Sequence, residues 1–328
     1  MGNHTEEEDR MRVCLMIEGQ EGVTWEQWLA LAASCEEHGL EGLFRSDHYE
    51  SVMGMGEQGS LDAWTTLAAL AARTSRVRLG TLVSPATFRH PSVLAKSVVT
   101  VDHISGGRVE LGLGAGWHEG EHRAYGFEFP ATPARMARLA EQLEIVTRSW
   151  TEEAFSFAGQ HYQVHDLRAE PKPLQRPHPT LLVGGAAGPK SLALAARFAD
   201  EYNTVGVPLG EVPERRRRQL DAWRDAGRDP GTARLSLMTT GVVGRDRAEV
   251  DERVRRVLAV TGDDHSAEEV VDQRPHWLLG TTDQMVEQLH ALEAAGISRV
   301  MLQHLDHTDL DMVAVLGEVA ATMGAAPS

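Results

Sequence analysis

A glycine-rich stretch at residues 108–122 brings one aromatic and four titratable side chains to the end of a predicted strand. Val109, Leu111 and Leu113 alternate with polar residues and glycines, which is the pattern of a buried strand. The glycines after them allow a flat ligand to approach the backbone closely. The reactive residues at the end of the stretch are Trp117, His118, Glu119, Glu121 and His122. They predict a ligand site, although the same pattern also fits a strand followed by a solvated helix start.

The segment 46–48, directly after the second predicted strand, offers a second set of reactive groups. Histidine changes its protonation near neutral pH, and a neighbouring carboxylate such as Asp47 could orient the ring of His48 for acid–base catalysis. Adjacent residues of a strand point in opposite directions, so both side chains reach one pocket only where the strand has ended. The alternative interpretation is that Asp47 caps the loop and His48 fills space.

An anion site is predicted where the glycine-rich turn 184–188 runs into a helix that starts at Pro189. Free backbone N–H groups and the helix dipole both favour a phosphate at such a helix start. The alternative is a tight turn without a ligand.

The spacing of His118 and His122 is similar to that of a zinc-binding helix, but it does not predict a metal site. Gly120 in the first turn costs about 1 kcal/mol of helix stability. Glu121, directly before the second histidine, also departs from the zinc pattern. We therefore expect no metal here.

Strands and helices alternate along most of the chain, with short connections between them. The eight predicted strands are 11–17, 40–45, 77–83, 108–114, 180–183, 201–205, 235–243 and 299–303. Each is followed by a helical pattern, which predicts a parallel sheet with right-handed crossovers. Eight such units predict an α/β fold of the (β/α)8 TIM-barrel type, with ligands at the carboxyl ends of the strands. An open doubly wound sheet is the alternative, but its dinucleotide fingerprint is missing because the glycine motif follows the fourth strand.

An insertion interrupts this alternation between strands four and five, at about residues 151–179. Two aromatic-containing runs around a turn at 158–160 predict a small hairpin, and a run of prolines then holds the chain extended. The alternation continues on both sides, so residues 11–328 are predicted to form one domain. The polar, acidic tail at residues 1–10 is expected to be disordered.

The 328 residues carry a formal net charge of −16, which disfavours nucleic acids and anionic membrane surfaces as partners. No apolar run approaches the length of a membrane-spanning helix. Cys14 and Cys35 are predicted to be buried thiols rather than a disulfide, which fits a cytoplasmic location.

Several segments, in the same order along the chain, resemble the luciferase-like monooxygenase superfamily. These segments are 42–49, 76–83, 87–91, 113–122, 183–185 and 297–303. Within the superfamily, the chain is most similar to the branch that uses the deazaflavin coenzyme F420. The resemblance implies a TIM-type barrel with the deazaflavin, or a flavin, lying across the carboxyl ends of the strands.

The resemblance also implies a role for each candidate site residue. Asp47 and His48 would lie beside the reactive ring, and a non-prolyl cis peptide after strand three would support the ring's central edge. The turn after strand four would line the ring, and the turn after strand five would hold the phosphate. The residues expected to contact the cofactor are Leu82, Val83, Gly116, Trp117, Gly184, Gly185, Ala186, Ala187 and Gly188.

The chain departs from the superfamily's sugar-phosphate dehydrogenases at one position. Those enzymes have an acidic glutamate directly after the strand-four glycines, where this chain has Trp117. The departure disfavours a sugar-phosphate substrate. Glu119 or Glu121 would have to supply the acid instead, and we take Glu119 as the candidate catalytic acid.

These features lead to the hypothesis of an oxidoreductase that passes a hydride between coenzyme F420 and a small organic substrate. His48 would donate or accept the proton, oriented by Asp47, and the protein would supply positioning and electrostatics. The same barrel also fits a monooxygenase that uses reduced FMN, or a non-catalytic cofactor-binding protein. Members of the superfamily are usually homo-oligomers, so a homodimer or a larger homo-oligomer is expected.

Overall fold

Eight parallel strands of this chain close into a barrel, and helices surround it. The computed structural model describes residues 10–53 and 59–325, so the tail expected to be disordered lies outside the described residues except for Arg10. The strands are β1 (Arg12–Ile17), β2 (Gly42–Arg45), β3 (Arg78–Thr81), β4 (Ser84–Pro85), β5 (Val109–Gly114), β6 (Phe155–Ala158), β7 (Gln163–Leu167), β8 (Thr180–Gly185), β9 (Glu201–Val205), β10 (Arg234–Gly244), β11 (Leu278–Thr281) and β12 (Arg299–Gln303). The helices are α1 (Trp25–Glu37), α2 (Ala63–Ala71), α3 (Pro91–Ser105), α4 (Glu119–Tyr125), α5 (Thr132–Thr151), α6 (Pro189–Phe198), α7 (Val212–Asp225), α8 (Arg247–Thr261), α9 (Ala267–Gln273), α10 (Thr282–Ala294) and α11 (Leu310–Gly324). Within these described ranges, no helix is both long enough and apolar enough to cross a membrane.

The barrel closes because its first and last strands pair in parallel. Arg12 of β1 lies opposite Arg299 of β12, and β10 pairs with both β9 and β12. Around the barrel the strands follow the order β1, β2, β3, β5, β8, β9, β10 and β12. The predicted (β/α)8 TIM-barrel fold is confirmed.

Three further pieces of sheet lie outside this set of eight. β4 continues the path of the third barrel strand and pairs with the end of β5. The predicted hairpin is present as the antiparallel pair β6 and β7. β11, which the sequence did not predict, pairs with the second half of β10, where Gly241 lies opposite Leu278. It finds a partner there because β10 is 11 residues long and extends past its barrel neighbours.

Alternate residues of the barrel strands serve two separate apolar cores, as the pleat of a strand requires. On β1, Val13, Leu15 and Ile17 pack in the large core between strands and helices. Cys14 and Met16 pack in a small core inside the barrel. Cys14 is a free thiol, as is the buried Cys35.

Charged side chains fill the amino-terminal end of the barrel. Arg299 contacts Glu110 at 2.8 Å and Glu201 at 2.9 Å, and Arg78 donates a hydrogen bond to Glu110. Buried charges of this kind persist only when they are paired. Because these ions and the small apolar core fill the lower barrel, space for a ligand remains at the carboxyl ends of the strands.

Candidate active site

A cavity of about 770 Å³ opens at the carboxyl ends of the barrel strands. Its lining is mostly apolar, and its volume is in the range that holds a cofactor-sized organic molecule. The predicted site residues that face it are His48, Leu82, Val83, Gly116, Trp117, Gly184, Gly185, Ala186 and Gly188. Three other predicted residues, Asp47, Glu119 and Ala187, do not line this cavity.

The ring of His48 is held by a carboxylate from the start of α4. The Nδ1–H of His48 donates to Glu121 Oε1 over 2.6 Å, and the backbone N–H of Tyr49 donates to Glu121 Oε2 over 2.9 Å. Glu121 is fully buried. The Nε2 atom of His48 makes no hydrogen bond within the described residues, and the ring lines the cavity. The reactive nitrogen is therefore available to a ligand.

The contact between His48 and Glu121 shifts the pKa of both groups. Burial alone would lower the pKa of His48, but the hydrogen bond to Glu121 and the charge of Glu121 raise it above its ordinary value. Burial alone would raise the pKa of Glu121, but the hydrogen bond from His48 turns the net shift downward. His48 therefore holds a proton more strongly at neutral pH than a free histidine does.

The expectation that Asp47 orients His48 is wrong. The Asp47 carboxylate is buried on the other side of the chain, where it accepts hydrogen bonds from Ser84 Oγ at 2.6 Å and from Arg89 Nη1 at 2.5 Å. Asp47 and His48 therefore contact different parts of the protein, as neighbouring residues at the end of a strand do. Asp47 instead ties β2 to the segment that follows β3.

The choice of Glu119 as the acid must also be corrected. Glu119 is exposed at the first position of α4, whereas Glu121 is buried against His48. Two residues along a helix correspond to a rotation of about 200°, so the two carboxylates point to opposite faces. His118 caps the helix, because its Nδ1 accepts a hydrogen bond from the N–H of Glu121 over 3.3 Å. This cap sets the rotation of α4 and therefore the helix face that turns toward His48.

The peptide bond between Leu82 and Val83 is cis, as expected. Glycines surround the side chain of Val83. A Cβ atom on Gly112, Gly114 or Gly184 would come within 2.9, 2.6 and 2.9 Å of a Val83 methyl carbon, respectively. These glycines therefore leave Val83 room to form a smooth wall, against which a flat ring could lie.

Trp117 stands at the rim of the cavity with 61% of its surface exposed. Its ring meets the ring of His48 edge-on, with centroids 5.6 Å apart and planes at 76°. Gly116 before it has a φ of 78°, in the left-handed region that favours glycine. The turn at Gly116 therefore places the indole beside the reactive imidazole.

The turn after β8 meets the uncapped start of α6. Gly188 precedes α6 and offers no side-chain hydrogen bond to it. The ammonium group of Lys190 makes no hydrogen bond or ion pair within the described residues, and Lys190 lines the cavity. Ala187 points away: it is buried at a φ of 55°, and its N–H donates to the Tyr202 hydroxyl over 2.8 Å. Ala187 therefore shapes the turn from behind instead of facing the cavity.

Glu18 and Asn203 are among the polar residues of the cavity wall that sequence reasoning missed. Asn203 Nδ2 donates to Ser236 Oγ over 2.8 Å, but its buried Oδ1 has no partner among the described residues. Glu18 accepts hydrogen bonds from Gln20 at 2.8 Å and from Gln303 at 2.6 Å. Both residues lie in or directly after a predicted barrel strand, and that position is the signal that could have found them.

The described residues contain no group of three or more His, Cys, Asp or Glu side chains arranged to hold a metal ion. His122, which the zinc-like spacing would require as a ligand, is used in packing. Its Nδ1–H donates to the His118 carbonyl over 2.6 Å, and its Nε2 lies 2.6 Å from Thr87 Oγ1.

A closed (β/α)8 barrel with a cavity and a histidine–carboxylate pair at the carboxyl ends of its strands has the arrangement of TIM-barrel enzymes. The chain belongs to the luciferase-like monooxygenase family, whose family model matches residues 11–299.

Three curated relatives illustrate the range of this family. An uncharacterized protein of Mycobacterium tuberculosis is 38% identical over 170 residues, 52% of this chain, and the match spans only 58% of the relative's length. The F420-dependent glucose-6-phosphate dehydrogenase of Nakamurella multipartita is 29% identical over 316 residues, 88% of this chain and 89% of the relative. The FMNH2-dependent dimethylsulfone monooxygenase of Pseudomonas putida is 30% identical over 229 residues, 70% of this chain and 60% of the relative.

A solved structure shares the fold across nearly the whole chain. The F420-dependent secondary alcohol dehydrogenase, in complex with an F420–acetone adduct, superposes with a TM-score of 0.81 at 20% identity. The superposition covers 94% of this chain and 98% of that one.

Replacing Glu121 by glutamine is expected to lower the pKa of His48. An amide keeps an oxygen for the Tyr49 N–H but cannot stabilise the imidazolium as a carboxylate does. NMR titration of the His48 ring measures this shift directly. Glu119→Gln removes a similar carboxylate from the exposed face of the same helix and should leave the titration unchanged. An unchanged pKa in Glu121→Gln would contradict the assignment.

Proposed function

We propose that this protein is an F420-dependent oxidoreductase, which transfers a hydride between the deazaflavin and a small organic substrate. The observation that carries the proposal is the free Nε2 of His48 in the same cavity as the cis peptide Leu82–Val83 and the uncapped start of α6. The relative from Nakamurella multipartita, which matches along most of both chains, supports the choice of coenzyme.

The residues of the cavity fit such a coenzyme at two points. The wall around Val83 is flat and apolar, and the unpartnered Oδ1 of Asn203 could accept a hydrogen bond from a ring N–H. At the other end, the free N–H groups of the α6 start and the Lys190 ammonium could hold a phosphate. Leu82, Val83, Gly116, Trp117, Asn203, Gly184, Gly185, Ala186, Gly188 and Lys190 would then hold the coenzyme.

When bound, the deazaflavin supplies a ring carbon that accepts or donates a hydride. His48 handles the proton that must move with it. If an alcohol is oxidised, its C–H hydrogen leaves as a hydride and its O–H proton passes to Nε2; in the reverse reaction Nε2–H protonates the oxygen of a carbonyl. Because Glu121 raises the pKa of His48, the ring is a stronger base than a free histidine, and a proton that it accepts from a substrate is stabilised by the Glu121 carboxylate.

The decisive experiment is a side-by-side titration of the purified protein with F420 and with FMN. We expect stoichiometric binding of F420 with the tighter dissociation constant. Tighter binding of FMN would favour the reduced-flavin monooxygenase instead, in line with the relative from Pseudomonas putida. Stoichiometric binding of F420 without turnover of any substrate would indicate a non-catalytic cofactor-binding protein.

Replacing Lys190 by alanine is expected to weaken F420 binding about tenfold, the effect of one charge-assisted hydrogen bond to a phosphate. Lys96→Ala is a matched control, because the Lys96 ammonium donates to the Glu170 carbonyl away from the cavity. The dissociation constants follow from fluorescence titration of the coenzyme. Equal affinities in the two variants would exclude a phosphate contact by Lys190.

A further inference from the structure

A second cavity lies beside the active-site cavity and shares part of its wall. This side chamber has a volume of about 400 Å³ and lies between the ends of β9 and β10 and the segment 261–277. Val52, Val205 and Met238 line both spaces. A molecule in the side chamber would therefore lie next to the space that His48 faces.

The charged groups that line the side chamber neutralise each other. Arg274 donates to Asp263 over 2.7 Å. Burial lowers the pKa of His276, and the charge of Arg274 lowers it further, so this ring is neutral at pH 7. A phosphate or carboxylate entering the chamber would meet an arginine that already has its counter-ion.

The floor of the side chamber offers hydrogen-bond acceptors, because the hydroxyl protons of its threonines are used within the protein. Thr239 Oγ1 donates to the His276 carbonyl over 2.5 Å, and Thr240 Oγ1 donates to Gln303 Oε1 over 2.8 Å. Gln303 Nε2 in turn donates to Glu18 Oε1 in the wall of the active-site cavity over 2.6 Å. The two hydroxyl oxygens and the carboxylate keep lone pairs for a ligand.

Much of the remaining lining is apolar, and it includes one large ring. Met53 and Trp277 join Val52, Val205 and Met238 around the polar floor. Such a surface suits the carbon skeleton of an organic molecule, since the indole of Trp277 presents an apolar face.

We propose that the side chamber binds the body of the substrate, and that this substrate is an uncharged, hydroxyl-bearing organic molecule instead of a phosphate ester or a carboxylate. The inference rests on the proposed function and specifies its substrate class. Hydroxyl groups of the molecule donate to the acceptors of the floor, and its carbon skeleton packs against Trp277. At a carbinol carbon next to His48, the O–H proton would pass to Nε2 as the C=O bond forms, and a bound deazaflavin would supply the acceptor for the hydride that leaves the C–H bond.

Glucose and glucose 6-phosphate are a matched pair of probes that differ by one phosphate. Their binding to the coenzyme-loaded protein is measured by NMR from shifts of the Trp277 indole and the Met238 methyl group. We expect glucose to perturb both signals, and glucose 6-phosphate to bind at least about tenfold more weakly. Tighter binding of the phosphorylated sugar, or no effect of glucose on either signal, would overturn the proposal.

Two variants test the groups that the proposal names. Asp263→Asn frees Arg274 and should tighten glucose 6-phosphate binding about tenfold, whereas Asp264→Asn, the same change at an exposed neighbour, should not. Thr240→Val should weaken glucose binding about fivefold, and Thr240→Ser should restore it. Unchanged affinities in Asp263→Asn and Thr240→Val would refute the roles of the paired arginine and the acceptor floor.

The same measurements separate this inference from the proposed function. The NMR signals report on the side chamber in the protein without coenzyme as well, so they do not depend on turnover. Glucose binding without any F420 binding would refute the coenzyme assignment alone. F420 binding and turnover with no perturbation at Trp277 would refute the side chamber alone.

Discussion

Replacing His48 by alanine is expected to lower turnover about 100-fold or more while leaving F420 binding intact. This is the usual effect of removing a general acid–base group. The free Nε2 of His48 faces the cavity, and Glu121 holds the opposite nitrogen over 2.6 Å. The residues proposed to hold the coenzyme are separate from this proton-transfer group, so affinity and rate should respond differently.

The measurement compares kcat at saturating substrate with the melting temperature of each variant. His118→Asn is the matched control, because asparagine can still cap α4 while the neighbouring imidazole is lost. We expect near-normal turnover in that control. If His48→Ala lowered the melting temperature but left the rate per folded molecule unchanged, His48 would be a packing residue and the catalytic assignment would fail.

The position of His48 at the site could be predicted from the sequence, but its partner could not. A residue that follows a barrel strand must lie at the carboxyl end of the barrel, whatever the details of packing. The choice between Asp47 and Glu121 depends on the direction of a side chain where the chain leaves β2, and on the rotation of a short helix 73 residues further on. Neither of these angles follows from hydrophobic periodicity.

The elements that were predicted depend on local sequence patterns, whereas those that were missed depend on tertiary contacts. The eight barrel strands could be predicted because each is a short segment with apolar residues at alternate or consecutive positions, and a helical pattern follows it. β11 is only four residues long and is stabilised by the projecting end of β10, so its existence depends on tertiary pairing. In the sequence, Asn203 cannot be distinguished from other strand residues. Only its buried Oδ1, which has no partner among the described residues, indicates that it belongs to a binding site.

Replacing Glu110 by glutamine is expected to lower the free energy of unfolding by about 3–5 kcal/mol, the cost of leaving buried charges without their partner. Arg299 donates to both Glu110 oxygens, over 3.0 and 2.8 Å, and Arg78 also donates to this carboxylate. The variant keeps the shape of the side chain and removes its charge. Urea unfolding at pH 7 gives the difference, and Glu214→Gln, in an exposed ion-pair cluster on α7, should show no measurable loss.

The pH dependence of this loss distinguishes an ion pair from a packing defect. Burial alone would raise the pKa of Glu110, but Arg299 and Arg78 lower it to about 2. A carboxyl group whose pKa is lower in the folded state stabilises the fold fully above its unfolded pKa of about 4.3. That stabilisation is lost as the pH falls through the folded pKa, so the stabilities of the wild type and Glu110→Gln should converge between about pH 4.5 and pH 2. A constant difference across this window would mean that the shape of Glu110, and not its charge, holds the amino-terminal end of the barrel together.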